Sequence, residues 1–244
     1  MMDAIRSELA PHGVLRAGIN LGNFLLVTGR TPSGDPVGVA PDMAQEIAAG
    51  LGVPLVYVPY AGPGELADAA GTDAWDIGLI GAEPARARTI AFTSAYVEIE
   101  ASYLVPPGSP LLAVEEIDQP GNRIATTPRS AYGLWLERNI KRAELVWCAS
   151  ADSACERFVR DGLEALAALR PRLIADAAGL PGSRILPGGF TAVQQAVGTS
   201  RRNARGAAFL QGFVEDARDS GLVARLIARQ QVVGLSVASA TAAS

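Results

Sequence analysis

The chain has 244 residues, of which 49% are apolar and only 6% aromatic, so a substantial core can form and must be built from Ala, Leu, Val and Ile. Its formal charge is −4 and no Lys/Arg cluster lies beside aromatic residues, which argues against nucleic acid as a partner. His12 is the single histidine, and Cys148 and Cys155 belong to no CxxC or Cys/His set. Neither a metal site nor a cofactor is therefore expected, and the two thiols read as small, half-buried side chains. No apolar run approaches the roughly 18 residues of a membrane span, so membrane insertion is not expected. The opening MMDAIRSELAPHGVLRAGI has no basic segment followed by about 7–15 apolar residues, so it does not read as a signal peptide.

In chain order, residues 3–12 predict a short amphipathic helix and Leu15 to Ile19 a strand, followed by an Asn20-Leu21-Gly22-Asn23-Phe24 turn. Thr31 to Pro36 reads as a hairpin-like loop. A helix is expected from about Asp42 to Leu51, with Met43, Ile47, Ala48 and Leu51 on one face and Gly50 or Gly52 as its stop. Val53 to Val58 predicts a second strand, and residues 65–70 a helix after the Tyr60-Ala61-Gly62-Pro63-Gly64 loop. Ile77 to Ile80, bounded by Asp76 and Gly81, suits a strand buried on both faces. Strand, helix and strand alternating at this spacing argue for βαβ units and a parallel-rich sheet. Pro84 fits the first turn of a short helix, and Glu98 to Val105 a long crossing strand.

A second set follows the break at Pro106-Pro107-Gly108-Ser109-Pro110: a strand at Arg123 to Thr126, a helix from about Ser130 to Ile140, a strand at Glu144 to Cys148 and a helix at Asp152 to Arg160. Beyond it come a helix at Pro171 to Gly179, a strand at Arg184 to Leu186 and a crossing at Thr191 to Val197. Helices at 202–220 and 222–230 follow, and Ser236 to Ser244 reads as a frayed tail.

Two places carry chemistry. At the end of the Ile77 strand, Gly81 opens onto Glu83-Pro84-Ala85-Arg86, where free backbone donors and a guanidinium that folds back make an anion site. At Thr127-Pro128-Arg129-Ser130-Ala131-Tyr132, Ser130 is a good N-cap residue, and the amides of Ala131 and Tyr132 lie at the helix's positive end. Asn20 and Asn23 sit at a strand's carboxyl end, where ligands bind in open α/β sheets, and read either as amides facing a ligand or as turn residues. Tyr60 is read either as a ligand contact or as a rim residue on Pro63. No nucleophile–His–acid set can be assembled, and Gly62-Pro63-Gly64 and Gly188-Gly189 lack a phosphate-loop lysine and spacing.

The run Glu83-Pro84-Ala85-Arg86, then Ile90-Ala91-Phe92-Thr93-Ser94-Ala95-Tyr96, then Glu98 to Val105, resembles bacterial solute-binding proteins of family 3, the polar amino-acid-binding components of ABC importers. Gly38 with Asp42-Met43, Val114 to Pro120, and Gly162-Leu163-Glu164-Ala165 match further phrases of that family more weakly. The resemblance implies an α/β, two-lobed periplasmic-binding-protein-like fold of type II, with residues 1–104 plus 192–244 in one lobe and 105–191 in the other, joined by two crossing strands that act as a hinge. It implies a monomer that closes on a small carboxylate ligand, an amino acid or related organic acid, with Arg86 and the Ser130 helix start as its grips and an ABC permease as a partner. It also implies a periplasmic home; with no export signal the chain is expected in the cytoplasm if it is complete. Where amino-acid-binding members carry an aspartate for the ligand's ammonium, this chain has Leu169-Arg170. A zwitterion then needs another acid such as Glu83, since an unpaired buried ammonium costs several kcal/mol; otherwise Arg170 favours an oxo or hydroxy acid. A binding protein rather than an enzyme is expected. The alternatives are a cyclohexadienyl or arogenate dehydratase-like lyase with Glu83 as its acid, and a cytoplasmic ligand sensor.

Overall fold

The structure is a computed structural model that describes residues 1–239; the remainder of the expected frayed tail, 240–244, lies outside the described residues. The chain forms two compact units, Met1–Glu98 with the chain from Gln194 onward, and Ile99–Val193. The sequence reading drew these limits at 104/105 and 191/192; the contacts divide inside the two long strands that carry the chain between units.

Unit 1 begins with α1 (Met2–Leu9) and β1 (Leu15–Asn20), then a small hairpin of β2 (Gly29–Arg30) and β3 (Pro36–Val37). α2 (Val39–Leu51) starts earlier than Asp42, because Gly38 takes φ +149° and places the chain where a Cβ would lie 2.2 Å from the Leu26 carbonyl oxygen. The face of α2 with Met43, Ile47 and Leu51 is fully buried, and Gly52, in the left-handed region at φ 66°, ends it. β4 (Leu55–Tyr60), α3 (Pro63–Asp68) and β5 (Ile77–Gly81) complete the run of parallel strands, with β1 between β4 and β5. All five residues of β5 are buried, as its unbroken apolar run requires.

After one 3₁₀ turn (Arg86–Arg88), β6 (Ile90–Phe92) is a strand the sequence reading did not assign, and β7 (Val97–Val105) leads into unit 2. There β8 (Arg123–Thr126), α4 (Ala131–Asn139), β9 (Glu144–Trp147), α5 (Ala151–Arg160), β10 (Ala165–Leu169), α6 (Arg170–Ala178) and β11 (Arg184–Ile185) follow. The strand order is β7-β10-β8-β9, with β8 parallel to β9 and β10, β7 antiparallel to β10, and β11 on β7. Its core gathers Tyr103, Leu104, Ile124, Leu136, Phe158, Leu166 and Leu173.

β12 (Thr191–Ser200) returns the chain to unit 1, antiparallel to β5 and to β6, and α7 (Ala204–Asp219) and α8 (Leu222–Gln230) close that unit. β13 (Ser236–Val237) corrects the expected frayed tail. Ser236 and Val237 pair with Glu98 and Val97 of β7, because the start of β7 offers open main-chain groups to a short extended segment.

Candidate functional site

In unit 1 the carboxyl ends of three neighbouring strands share one sheet edge: Asn20 is in register with Tyr60, and Ile19 with Leu79 two residues before Gly81. Leu21 donates its N–H to the Tyr60 carbonyl at 2.9 Å, and at Gly22 a Cβ would stand 2.8 Å from the Ala61 carbonyl, so the two loops lie tightly together. The structure thus brings Asn20, Tyr60 and Gly81 to one edge. The Asn20 Oδ1 accepts from the Gly22 N–H at 3.0 Å, and the buried Asn23 Oδ1 accepts from the Leu25 N–H at 3.2 Å. Both side-chain oxygens therefore do turn work. Tyr60 packs on the cluster of Leu66, Trp75, Ile80 and Ile90, and burial raises its phenol pKa.

Beyond Gly81 the expected Pro84 helix is only the single 3₁₀ turn at Arg86–Arg88. The chain must leave it at once, because Ile90 to Phe92 pairs with Ser200 to Gly198 of β12. Within that turn Arg86 is 6% exposed and its Nη1 donates to the Gly81 carbonyl at 2.7 Å. The guanidinium folds back on the strand end rather than out to water. Glu83 is also buried, and its carbonyl accepts from the Ala87 N–H at 2.9 Å.

In unit 2 the turn before α4 is closed by side chain and main chain together. The Ser130 Oγ accepts from the Gly133 N–H at 2.9 Å and donates to the Thr127 carbonyl at 3.0 Å. Arg129 sits in the left-handed region at φ 61° to make that turn. The amides of Ala131 and Tyr132, in the first helical turn, have no acceptor within the helix and lie at its positive end. The Tyr132 hydroxyl pairs with Thr127 Oγ1 at 2.6 Å and its ring is buried, so only its main chain is offered to a ligand. Burial raises its phenol pKa. Sequence reasoning missed Gly133: a Cβ there would stand 2.2 Å from the Thr127 carbonyl oxygen.

Arg170 opens α6 at the end of β10. Its Nε and Nη2 both reach Glu100 Oε1, at 2.8 and 2.6 Å, and Nη2 also donates to the carbonyls of Leu186 and Gly188 at 3.1 and 2.6 Å. The positive potential expected of Arg170 is thus matched by an acid that sequence reasoning did not connect to it.

Two further acids were passed over. Asp76 accepts from the Arg16 N–H at 2.8 Å and from its guanidinium at 3.1 and 2.7 Å. Glu164, the acid of the Gly162-Leu163-Glu164-Ala165 phrase, accepts from the Arg123 N–H at 2.8 Å and from its guanidinium at 2.9 Å twice. Both cysteines are free, Cys148 buried and Cys155 partly so, and burial raises both thiol pKa values. Among the described residues no group of three or more His, Cys, Asp or Glu is placed to hold a metal, and no helix is long and apolar enough to cross a membrane.

The sequence model of bacterial extracellular solute-binding proteins, family 3, matches residues 23–230. The chain belongs to this family. Cyclohexadienyl dehydratase from Pseudomonas aeruginosa is 28% identical over 177 residues, 67% of this chain and 65% of the enzyme, so the match spans just under two thirds of that protein. Among solved structures, the binding component of an ABC transporter from Wolinella succinogenes complexed with lysine has a TM-score of 0.74 at 20% identity, covering 89% of this chain and 95% of that one. An amino acid ABC transporter substrate-binding protein from Streptococcus pneumoniae bound to L-arginine gives a TM-score of 0.72 at 18% identity, covering 96% and 99%. At these identities the likeness is one of fold, and the fold is the α/β periplasmic-binding-protein type.

Proposed function

We propose that this solute-binding protein takes a small carboxylate-bearing solute, an amino acid or related organic acid, for an ABC-type uptake system. Arg86 in unit 1 and the Ser130-Ala131-Tyr132 helix start in unit 2 serve as its carboxylate-binding groups. The observation that carries the reading is the buried Arg86 guanidinium at the sheet's carboxyl edge, held by the Gly81 carbonyl. A guanidinium fixed in this way meets a carboxylate through two parallel hydrogen bonds without first being ordered, and such charge-assisted contacts contribute about 1.5–3 kcal/mol. The lysine and L-arginine complexes among proteins of this fold support the amino-acid class. Asn20 and Tyr60 contribute as neighbours at the same edge as Gly81.

A thermal-shift screen of amino acids and small carboxylates tests this. At 100 times its dissociation constant a ligand raises stability by about 2.7 kcal/mol. Arg86→Lys, which keeps the buried charge but not the fork, is expected to lose most of that gain while still folding. An unchanged gain in this variant sinks the assignment of Arg86.

A second reading is favoured by one relative: a dehydratase-like lyase with the buried Glu83 as proton donor to a leaving group. Incubation with prephenate or arogenate decides it. Turnover that disappears in Glu83→Gln supports the lyase, and stabilisation by a small acid without turnover supports binding alone.

A further inference from the structure

We propose that β13 is a releasable strap on β7, and that it sets how much of this first crossing strand is free to flex. β7 passes from unit 1 to unit 2 between Glu98 and Ile99. Near that point its partners change. Val97 and Glu98 pair with Val237 and Ser236 of β13, whereas Ala101 to Leu104 pair with Leu169 to Leu166 of β10. Both partners lie along one edge of β7. The other edge belongs to the β12 segment, since Tyr96 donates its N–H to the Gln195 carbonyl at 2.9 Å and Phe190 donates to the Ala101 carbonyl at 3.0 Å, and β7 stands between β12 and β10 in the strand order.

Ile99 and Glu100 therefore fall in a gap between two ladders. A stretch of strand with cross-strand bonds on one edge only is held less firmly than its doubly paired neighbours, so flexing concentrates in these two residues. The gap has a local cause. Gly234, at φ 93°, turns the chain two residues before Ser236, which stops β13 from continuing alongside Ile99.

The hold of β13 is slight. Its pairing extends by one bond, from the Ala238 N–H to the Tyr96 carbonyl at 3.1 Å. Ser236 is exposed and Val237 half-buried, and of residues 231–239 only Ala238 is buried. Val233, in the connection from α8, is 83% exposed. On the opposite edge, β12 is buried without interruption from Gln195 to Thr199. The start of the crossing thus has one deep partner and one shallow partner, and the shallow one detaches first. With β13 in place, flexing is confined to Ile99 and Glu100; with β13 released, it extends back to Val97. This strap acts on the crossing itself, whatever solute the protein takes.

Amide hydrogen exchange of the full chain, read by mass spectrometry, tests the strap. Ala238→Pro removes the N–H that reaches Tyr96 and is expected to speed exchange over residues 97–100 about tenfold, while the β1 and β5 amides of unit 1 keep their wild-type rates. Val97→Cys with Val237→Cys places two thiols at positions that face each other across the antiparallel ladder. Its oxidised form is expected to slow exchange over 97–100, and its reduced form to return toward wild type. Because this second variant gains order, it reads the strap even where Ala238→Pro folds poorly. Exchange over 97–100 that is the same in the oxidised and reduced forms, or that rises in Ala238→Pro only as much as it does in β1 and β5, overturns the proposal.

Discussion

Units 1 and 2 use the same device to start their sheets and bury it to different depths. In each, an arginine near the head of a strand gives its main-chain N–H and its guanidinium to a carboxylate that immediately precedes the opening of a neighbouring parallel strand: Arg16 with Asp76 before β5, and Arg123 with Glu164 before β10. The Asp76 side chain is 3% exposed and the Glu164 side chain 33%. Asp76 is further locked from behind, because its carbonyl accepts from the buried Thr199 hydroxyl of β12 at 2.8 Å. One geometry thus serves as an interior joint in unit 1 and as a half-wet clasp in unit 2. The difference teaches that hydrogen-bond pattern alone does not fix what an ion pair contributes; desolvation of the survivor does.

The contrast can be broken most forcefully at Asp76. Asp76→Ala leaves the Arg16 N–H facing a buried gap and its guanidinium with Asp73 alone, at 2.6 and 2.7 Å, and chemical denaturation is expected to register a loss of about 3 kcal/mol. Glu164→Gln should lose less, because water reaches Arg123. An equal loss in the two variants would erase the distinction drawn between the units.

The unit 2 clasp also has a pH signature. The Arg123 hydrogen bond holds the Glu164 carboxyl below the usual glutamate range. Its contribution is therefore complete above the unfolded carboxyl's pKa and is lost as the pH falls through the lowered folded value. Urea titrations of wild type and Glu164→Gln at stepped pH are expected to converge in acid and separate toward neutrality; a gap that widens in acid contradicts the pairing.

The smallest effects come from a pair of buried tyrosines. The Tyr132 hydroxyl in unit 2 has Thr127 as its partner, whereas the fully buried Tyr96 hydroxyl in unit 1 has no hydrogen-bond partner among the described residues. Tyr132→Phe should cost about 1 kcal/mol, and Tyr96→Phe should be close to neutral or slightly stabilising. Thermal unfolding of both variants sharpens the comparison, and a large loss at Tyr96 would reveal a partner.

Much of this architecture was legible because strands such as β1, β5, β8 and β10 are short apolar runs between turn residues. Arg123 to Thr126 stands where it was expected, and the α4 cap at Ser130 follows from the residue type alone. What stayed hidden depends on partners far along the chain. β6 is three residues long and exists only because Gly198 lets Ile90 and Phe92 lie against β12; a Cβ there would be 2.3 Å from Ile90 Cγ2. Its demand on the chain is what shortens the Pro84 helix to one turn. β13 likewise has no local pattern to announce it. Arg170 was legible as a departure from the family phrase, yet the acid that answers it lies 70 residues away on β7, a link no periodicity reports.

The missing side chain at Gly133 has a wider consequence. Because the Thr127 carbonyl fills the space that a Cβ would need, the backbone course before α4 is closed to change, and every replacement at that position displaces the amide donors along with the turn. On the proposed reading of the α4 start as a carboxylate grip, diversification of what this protein accepts is therefore channelled away from that turn and toward residues around it. On that same proposal, descendants of this chain can exchange cargo while keeping one handle on it.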